Sequence, residues 1–71
     1  MTNTESTIAE LNSIARDNGY SSVREACRAV IDDAYPASDA AEREFMAGLL
    51  LQVMIDEDYT SPYAALTNYG I

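Results

Sequence analysis

The sequence contains no histidine, no lysine and no tryptophan, and it has one cysteine, two prolines and three glycines. Histidine and lysine supply the commonest general bases of enzymes, and no glycine-rich phosphate loop or nucleophile motif is present. The lone cysteine, Cys27, excludes an intramolecular disulfide and does not indicate an oxidising compartment. These absences argue against an enzyme, a cofactor-dependent protein and a disulfide-stabilised secreted domain.

Positive charge is also scarce. All four cationic side chains are arginines, against 12 Asp and Glu, so the net charge is -8 and the pI about 4.1. Phosphate backbones and anionic membrane surfaces would be repelled, whereas basic proteins would be attracted. We therefore expect a basic protein as partner, and no direct contact with nucleic acid or membrane. Acid excess without lysine also occurs in proteins adapted to high salt, and that alternative stays open.

From the sequence we expect neither a membrane span nor a secretory leader. The longest apolar run, residues 45–55, is interrupted only by Gln52 and is about half of the ~20 residues that cross a bilayer. Residues 1–30 lack a basic start followed by an apolar core, so we expect no secretory signal and a cytoplasmic protein. The 71 residues make a single domain, and self-association is an alternative because so short a chain has little core.

Apolar periodicity predicts an all-α fold, a compact bundle of three helices plus a short C-terminal helix. The first helix is expected to begin near Thr4 to Thr7, because Thr7-x-x-Glu10 offers a capping box. It should end at Asn18, with Gly19 as the left-handed cap residue.

Capping signals also delimit the other helices. Ser22-x-x-Glu25 opens a second helix that Tyr35-Pro36 ends, since proline cannot donate the next hydrogen bond. Ser38 or Asp39 caps a third helix, which should run to about Asp58 and carry an Asp39 to Arg43 ion pair. Pro62 starts the last helix and Gly70 follows its end, with Tyr63, Leu66 and Tyr69 as its buried face.

Five acidic residues lie where a helix disfavours them. The C-terminus of a helix carries partial negative charge, so an acid there costs about 0.3 to 1 kcal/mol at low salt. Two acidic groups nevertheless end the second and third helices: Asp32, Asp33, Asp56, Glu57 and Asp58. We interpret these side chains as candidates for partner binding, although solvated helix ends chosen for solubility would look the same.

Tyrosines accompany the second acidic group. Tyr59 follows it directly and Tyr63 comes four residues later. Tyrosine is enriched at interfaces because it combines apolar area with a hydroxyl. Carboxylates held on rigid helices can occupy a basic groove as a nucleic-acid backbone does. The sequence therefore suggests an inhibitor that blocks the positively charged surface of a nucleic-acid-binding protein. Phage anti-restriction and anti-CRISPR inhibitors use this principle, but the comparison is by physical type and no motif identifies either group.

A second hypothesis is a homodimer or assembly subunit. Gly48 in mid-helix should cost about 1 kcal/mol relative to Ala, which indicates close approach of another helix. If that helix belongs to a second copy, the interface would comprise Gly48, Leu49, Leu50 and Val53. If it belongs to the same chain, Gly48 is a packing residue.

Two further features, the single cysteine and a possible calcium loop, do not indicate a functional site. Cys27 lies on the apolar stripe of the second helix, with no histidine to activate it, so we expect a core residue. A calcium loop begun at Asp56 would have Ser61 where glycine is required and Thr67 where glutamate belongs. We therefore expect no metal site.

Overall fold

A computed structural model describes residues 3 to 69, with side chains described from residue 5 onward. Four helices occupy this range: α1 Asn3–Asp17, α2 Val23–Ala34, α3 Ala40–Glu57 and α4 Pro62–Tyr69. The all-α prediction of three helices plus a short C-terminal one is confirmed at this level. The predicted cap at Gly70 lies outside the described residues. No helix within residues 3 to 69 has the length and apolarity needed to cross a membrane.

α1 begins earlier than its capping signal. The helix is already formed at Asn3, so Thr7 and Glu10 lie inside it and the predicted capping box is wrong. Glu5 lies in the first turn, where a carboxylate interacts favourably with the N-terminal dipole. Leu11 and Ala15 are the residues that this helix buries in the core.

The end of α1 depends on glycine. Gly19 has φ +95°, a left-handed conformation that residues with a Cβ rarely adopt. Its N–H donates to the carbonyl of Arg16, and the N–H of Tyr20 donates to the carbonyl of Ala15. These two bonds form a Schellman motif, which confirms Gly19 as the cap residue and turns the chain towards α2.

The start of α2 is fixed by three side chains. Ser22 accepts a hydrogen bond from the N–H of Glu25 at 3.3 Å, as the sequence predicted. The Glu25 carboxylate accepts from the hydroxyl of Ser21, so it is directed away from the usual capping-box partner. Asn12 accepts from the N–H of Val23 at 2.9 Å, which ties α1 to the first turn of α2.

α3 begins with a complete capping box. The N–H of Glu42 donates to Asp39 at 2.9 Å, and the N–H of Asp39 donates to the Glu42 carboxylate at 3.3 Å. The predicted Asp39 to Arg43 ion pair is wrong, because the Asp39 carboxylate caps the helix. Arg43 instead reaches back to α2, where its guanidinium lies 3.4 Å from Asp32.

The link between α3 and α4 is short and ordered by hydrogen bonds. Asp58 ends α3 with φ +61°, and its N–H and that of Tyr59 both donate to the carbonyl of Met54. Aspartate tolerates the left-handed region better than most residues with a side chain, so Asp58 has a structural role as well as a charge. Ser61 then accepts from the N–H of Ala64 at 3.3 Å and caps α4.

α4 packs by a different face from the one predicted. Pro62 is its first residue, as expected, but the fully buried residue is Ala65. Leu66 packs against the core, whereas Tyr63 and Tyr69 are exposed. A small side chain at the contact allows this short helix to lie close to its neighbours, and the Tyr63 ring projects outward.

The core lies between the four helices and is made of small and medium side chains. Cys27 belongs to it, as predicted, and its thiol donates to the Met54 sulfur at 3.5 Å. Burial raises the pKa of the Cys27 thiol to about 11, with Arg24 offsetting part of the effect. The buried residues are Leu11, Ala15, Val23, Ala26, Cys27, Ile31, Ala47, Leu50, Met54 and Ala65.

Candidate partner-binding surfaces

Arginines and carboxylates pair along one flank of the α2–α3 hairpin. Glu44 accepts from Arg24 at 2.7 Å and from Arg28 at 2.5 Å. Asp32 lies 2.9 Å from Arg28 and 3.4 Å from Arg43. Hydrogen bonds from the two arginines of α2 hold the pKa of Glu44 below its usual value. We call these five residues the arginine network.

The arginine network includes one of the two residues of the first acidic group. Asp32 is compensated inside the chain by Arg28 and Arg43, so it no longer stands as an exposed unpaired carboxylate for a partner. Asp33 follows it at about 100° around the helix and points away from the network. Asp33 is exposed and forms no ion pair with another described residue.

Confining the arginines concentrates negative charge elsewhere. The arginine network holds three of the four cations and two carboxylates, a net charge of +1. The other ten acidic side chains of the chain are accompanied only by Arg16, so they total -9. Outside one flank of α2 and α3, ten of the eleven charged side chains are therefore acidic.

The second acidic group lies at the opposite end of the hairpin from the first. Asp32 pairs with Arg43, whereas Cys27, earlier in α2, meets Met54, later in α3, so the two helices are antiparallel. Asp33 therefore lies beside the connecting loop, and the second acidic group lies at the open end. The rise of a helix separates the two groups by roughly 20 Å. They therefore form two charged positions and not one cluster.

The open-end carboxylates are held by neighbouring side chains. Gln52 donates to Asp56 at 3.0 Å, one helical turn earlier. Tyr69 donates to Glu57, and this hydrogen bond, with partial burial, raises the pKa of the Tyr69 hydroxyl. Asp58 is fixed by its position as the cap of α3. None of the three forms an ion pair within the described chain, so their charges remain uncompensated.

The two predicted tyrosines have different environments. Tyr59 packs against the core and meets Tyr69 edge to face, with ring centroids 5.8 Å apart. This contact makes Tyr59 a structural residue that joins α4 to the end of α3. Tyr63 has 70% of its surface exposed, so its ring is available to another molecule.

Tyr63 borders a groove that sequence reasoning missed. The groove has two adjoining depressions, of about 360 and 240 Å³, between α1, α2 and α4. Tyr20, Val30 and Tyr63 line both, and Asp33 lines the second. We call it the tyrosine groove. The apolar stripe of α2 predicted a buried face, but the lining residues are scattered along the chain, so no local pattern indicated a groove.

The predicted dimer interface is partly buried in the chain itself. Leu50 is 0% exposed and belongs to the core, so its assignment to a dimer interface is corrected. Gly48 faces the guanidinium of Arg24 on α2, so its close neighbour belongs to the same chain and Gly48 is a packing residue. Val53 packs against the core, while Leu49 is 43% exposed. The exposed neighbour one turn earlier is Phe45, at 69%, which the sequence reading left out.

Neither a cluster of metal ligands among the described residues nor a similarity to known proteins indicates a further site. Across the described residues, no three acidic or cysteine side chains converge to hold an ion. The chain matches no protein-family model, no curated protein and no solved structure. Charge, exposure and groove shape are thus the observations that bear on function.

Proposed function

We propose that this chain is an acidic protein-binding module that inhibits a basic, nucleic-acid-binding partner by covering its positively charged surface. The observation that carries this proposal is the charge separation, with three arginines confined to the arginine network and a net charge of -9 elsewhere. A partner evolved to bind phosphates would be attracted to such a surface, and release of bound counterions would favour the complex.

Asp56, Glu57 and Asp58 are the residues best suited to meet that partner. They are exposed, follow one another at a rigid helix end, and are oriented by Gln52 and Tyr69. Charges on an ordered element need little rearrangement on binding, so less entropy is lost. Asp33 and Tyr63 form the second contact region, at the tyrosine groove.

The proposal is tested by neutralising the open-end group without changing its shape. The variant carries Asp56→Asn, Glu57→Gln and Asp58→Asn, which keep the hydrogen-bond acceptors and the left-handed cap. A control variant removes the same charge elsewhere, through Glu10→Gln, Asp39→Asn and Glu42→Gln. Both are used beside the original chain to capture proteins from a lysate at moderate ionic strength, with identification by mass spectrometry.

We expect a captured basic protein that duplex DNA displaces, whose affinity falls about tenfold in the open-end variant and much less in the control. The salt dependence of binding should also become shallower in the open-end variant, because fewer counterions are released. Recovery of no DNA-displaceable protein, or equal losses in both variants, would overturn the proposal.

A second candidate function is a homodimeric or assembly subunit. It is favoured by the exposed apolar pair Phe45 and Leu49, which share one face of α3 a turn apart. Sedimentation at high salt, where the repulsion between two acidic chains is screened, tests it. A dimer that Phe45→Ser converts to monomer supports this function, and a monomer at all concentrations rejects it.

A further inference from the structure

We infer that the tyrosine groove binds a basic amphipathic helix of the partner, with apolar side chains in the groove and Lys or Arg directed to its acidic ends. The inference rests on the proposed function, because it specifies which element of the partner is bound. The proposed complex then includes apolar contacts in the groove in addition to the attraction between opposite charges.

The shape of the groove suits a helix. Its floor is made of short side chains, including Ala26 and Ala29, and its walls include the rings of Tyr20 and Tyr63. The part of α2 that lines it, from Val23 to Ala34, is roughly 17 Å long. That length matches about three helical turns, enough for apolar anchors at i, i+4 and i+7.

The groove is apolar and nothing from the described chain fills it. Tyr63 is the most exposed large apolar side chain of the described residues, although it lies beside buried core positions. Val30 packs on the core from below and lines both depressions. Covering these residues removes apolar surface from water, which favours binding.

The charges around the groove select a basic occupant. Asp33 is the one charged side chain that lines either depression. At the other end, Asp17 and Asp58 come just before the lining residues Asn18 and Thr60. Arg16 is the one cation of the described chain beside them, so this end also carries a net negative charge. The arginine network lies on the other flank of α2, so an acidic helix would meet repulsion at both ends and a basic helix would not.

A synthetic peptide provides the test. The probe is an amphipathic helix of about 14 leucine and lysine residues, and the control peptide has the same composition in a scrambled, non-amphipathic order. Affinities are measured by calorimetry, and the contact surface is mapped from amide shifts of the labelled protein. We expect the amphipathic peptide to bind more tightly and to shift the amides around Tyr20, Val30 and Tyr63.

Matched variants separate the groove from general charge. Tyr63→Ala should lower the affinity for the amphipathic peptide about tenfold. Phe45 is equally exposed but lies outside the groove, so Phe45→Ala should change this affinity little. Asp33→Lys should weaken binding more than Glu10→Lys, although both change the net charge equally. These side chains are exposed, so all four variants should keep the helical content of the original chain.

The outcomes distinguish this inference from the proposed function. Equal binding of both peptides, with equal effects of Tyr63→Ala and Phe45→Ala, would overturn the groove while leaving an acidic surface that attracts cations. A concentration-dependent dimer with shifted groove amides would show that a second copy occupies the groove, and would also overturn it. Absence of binding by either peptide at low salt would remove support from both proposals.

Discussion

The two flanks of α2 treat charge in opposite ways. On the flank facing α3, arginines and carboxylates neutralise each other within 2.5 to 3.4 Å. On the flank facing α1 and α4, Asp33 stands beside apolar side chains and the exposed ring of Tyr63. The charges of the first flank are paired within the chain, whereas the second flank exposes a carboxylate and apolar surface that another molecule can contact.

Neighbours in sequence show how sharp this division is. Asp32 belongs to the arginine network and Asp33 to the tyrosine groove, because one step along a helix is a rotation of about 100°. Ile31 is fully buried in the core, whereas Val30 is half-buried and lines the groove. Residues on the groove flank can therefore be replaced at a smaller cost in stability than the buried residues beside them.

The largest effect should separate Ile31 from Val30. Ile31→Ala leaves a cavity in the core and should lower the free energy of unfolding by about 3 kcal/mol. Val30→Ala should lower it by about 1 kcal/mol, because the side chain is already partly exposed, and should weaken the leucine–lysine peptide. Urea unfolding measures the first difference and calorimetry the second. Equal losses of stability would contradict the division between the two flanks.

Replacing Gly48 and Gly19 with alanine should change the free energy of unfolding in opposite directions. Gly48 lies in mid-helix, and an added Cβ would meet the Arg24 guanidinium at 3.7 and 3.9 Å, an ordinary contact. Gly48→Ala should therefore stabilise the chain by about 0.5 to 1 kcal/mol. Gly19→Ala should destabilise it by about 1 kcal/mol, because φ is +95° there. Thermal unfolding checks both, and a loss of stability in Gly48→Ala would show that α3 cannot accept the methyl group.

A smaller effect is expected from the arginine network, whose contribution to stability should depend on pH. The pKa of Glu44 is lowered from its usual 4.5 by hydrogen bonds from Arg24 and Arg28, so its stabilising contribution is present above pH 4.5. That contribution is lost as the pH falls through the lowered pKa. Glu44→Gln should thus be less stable than the original chain at pH 7, and the difference should disappear in acid. Measuring the difference between the two chains cancels the repulsion among the other carboxylates.

The control for the pH experiment is Glu10→Gln. This carboxylate is exposed on α1, away from the arginine network. It should change stability little, and without the same pH dependence. If both variants behave alike, the hydrogen bonds to Glu44 contribute nothing specific.

Sequence reasoning predicted the fold better than the contacts between helices. Helix type and number follow from periodicity, and the ends marked by Gly19, Ser22 and Asp39 follow from local hydrogen bonds. The start of α1 was misplaced because Thr7 and Glu10 resemble a cap but are preceded by residues that are already helical. A local pattern cannot show that a helix has begun earlier.

The surfaces were harder to predict because they depend on how helices face one another. The sequence predicted Asp33, Asp56 and Tyr63 as candidate contact residues, which the structure shows to be exposed, but it could not show that Arg43 reaches Asp32 instead of Asp39. Long arginine side chains pair across helices as easily as along them. The groove was missed for a related reason, since it arises from three helices and its lining is scattered along the chain.

Cys27 and Met54 place two sulfur atoms 3.5 Å apart at the centre of the bundle. Oxidation of either would introduce polar oxygen where the helices meet, and a methionine sulfoxide is incompatible with a tightly packed interior. Peroxide reaches these atoms only when the bundle opens. The rate at which Cys27 and Met54 take up oxygen, followed by peptide mass spectrometry that counts the other two methionines separately, therefore measures how often the bundle opens.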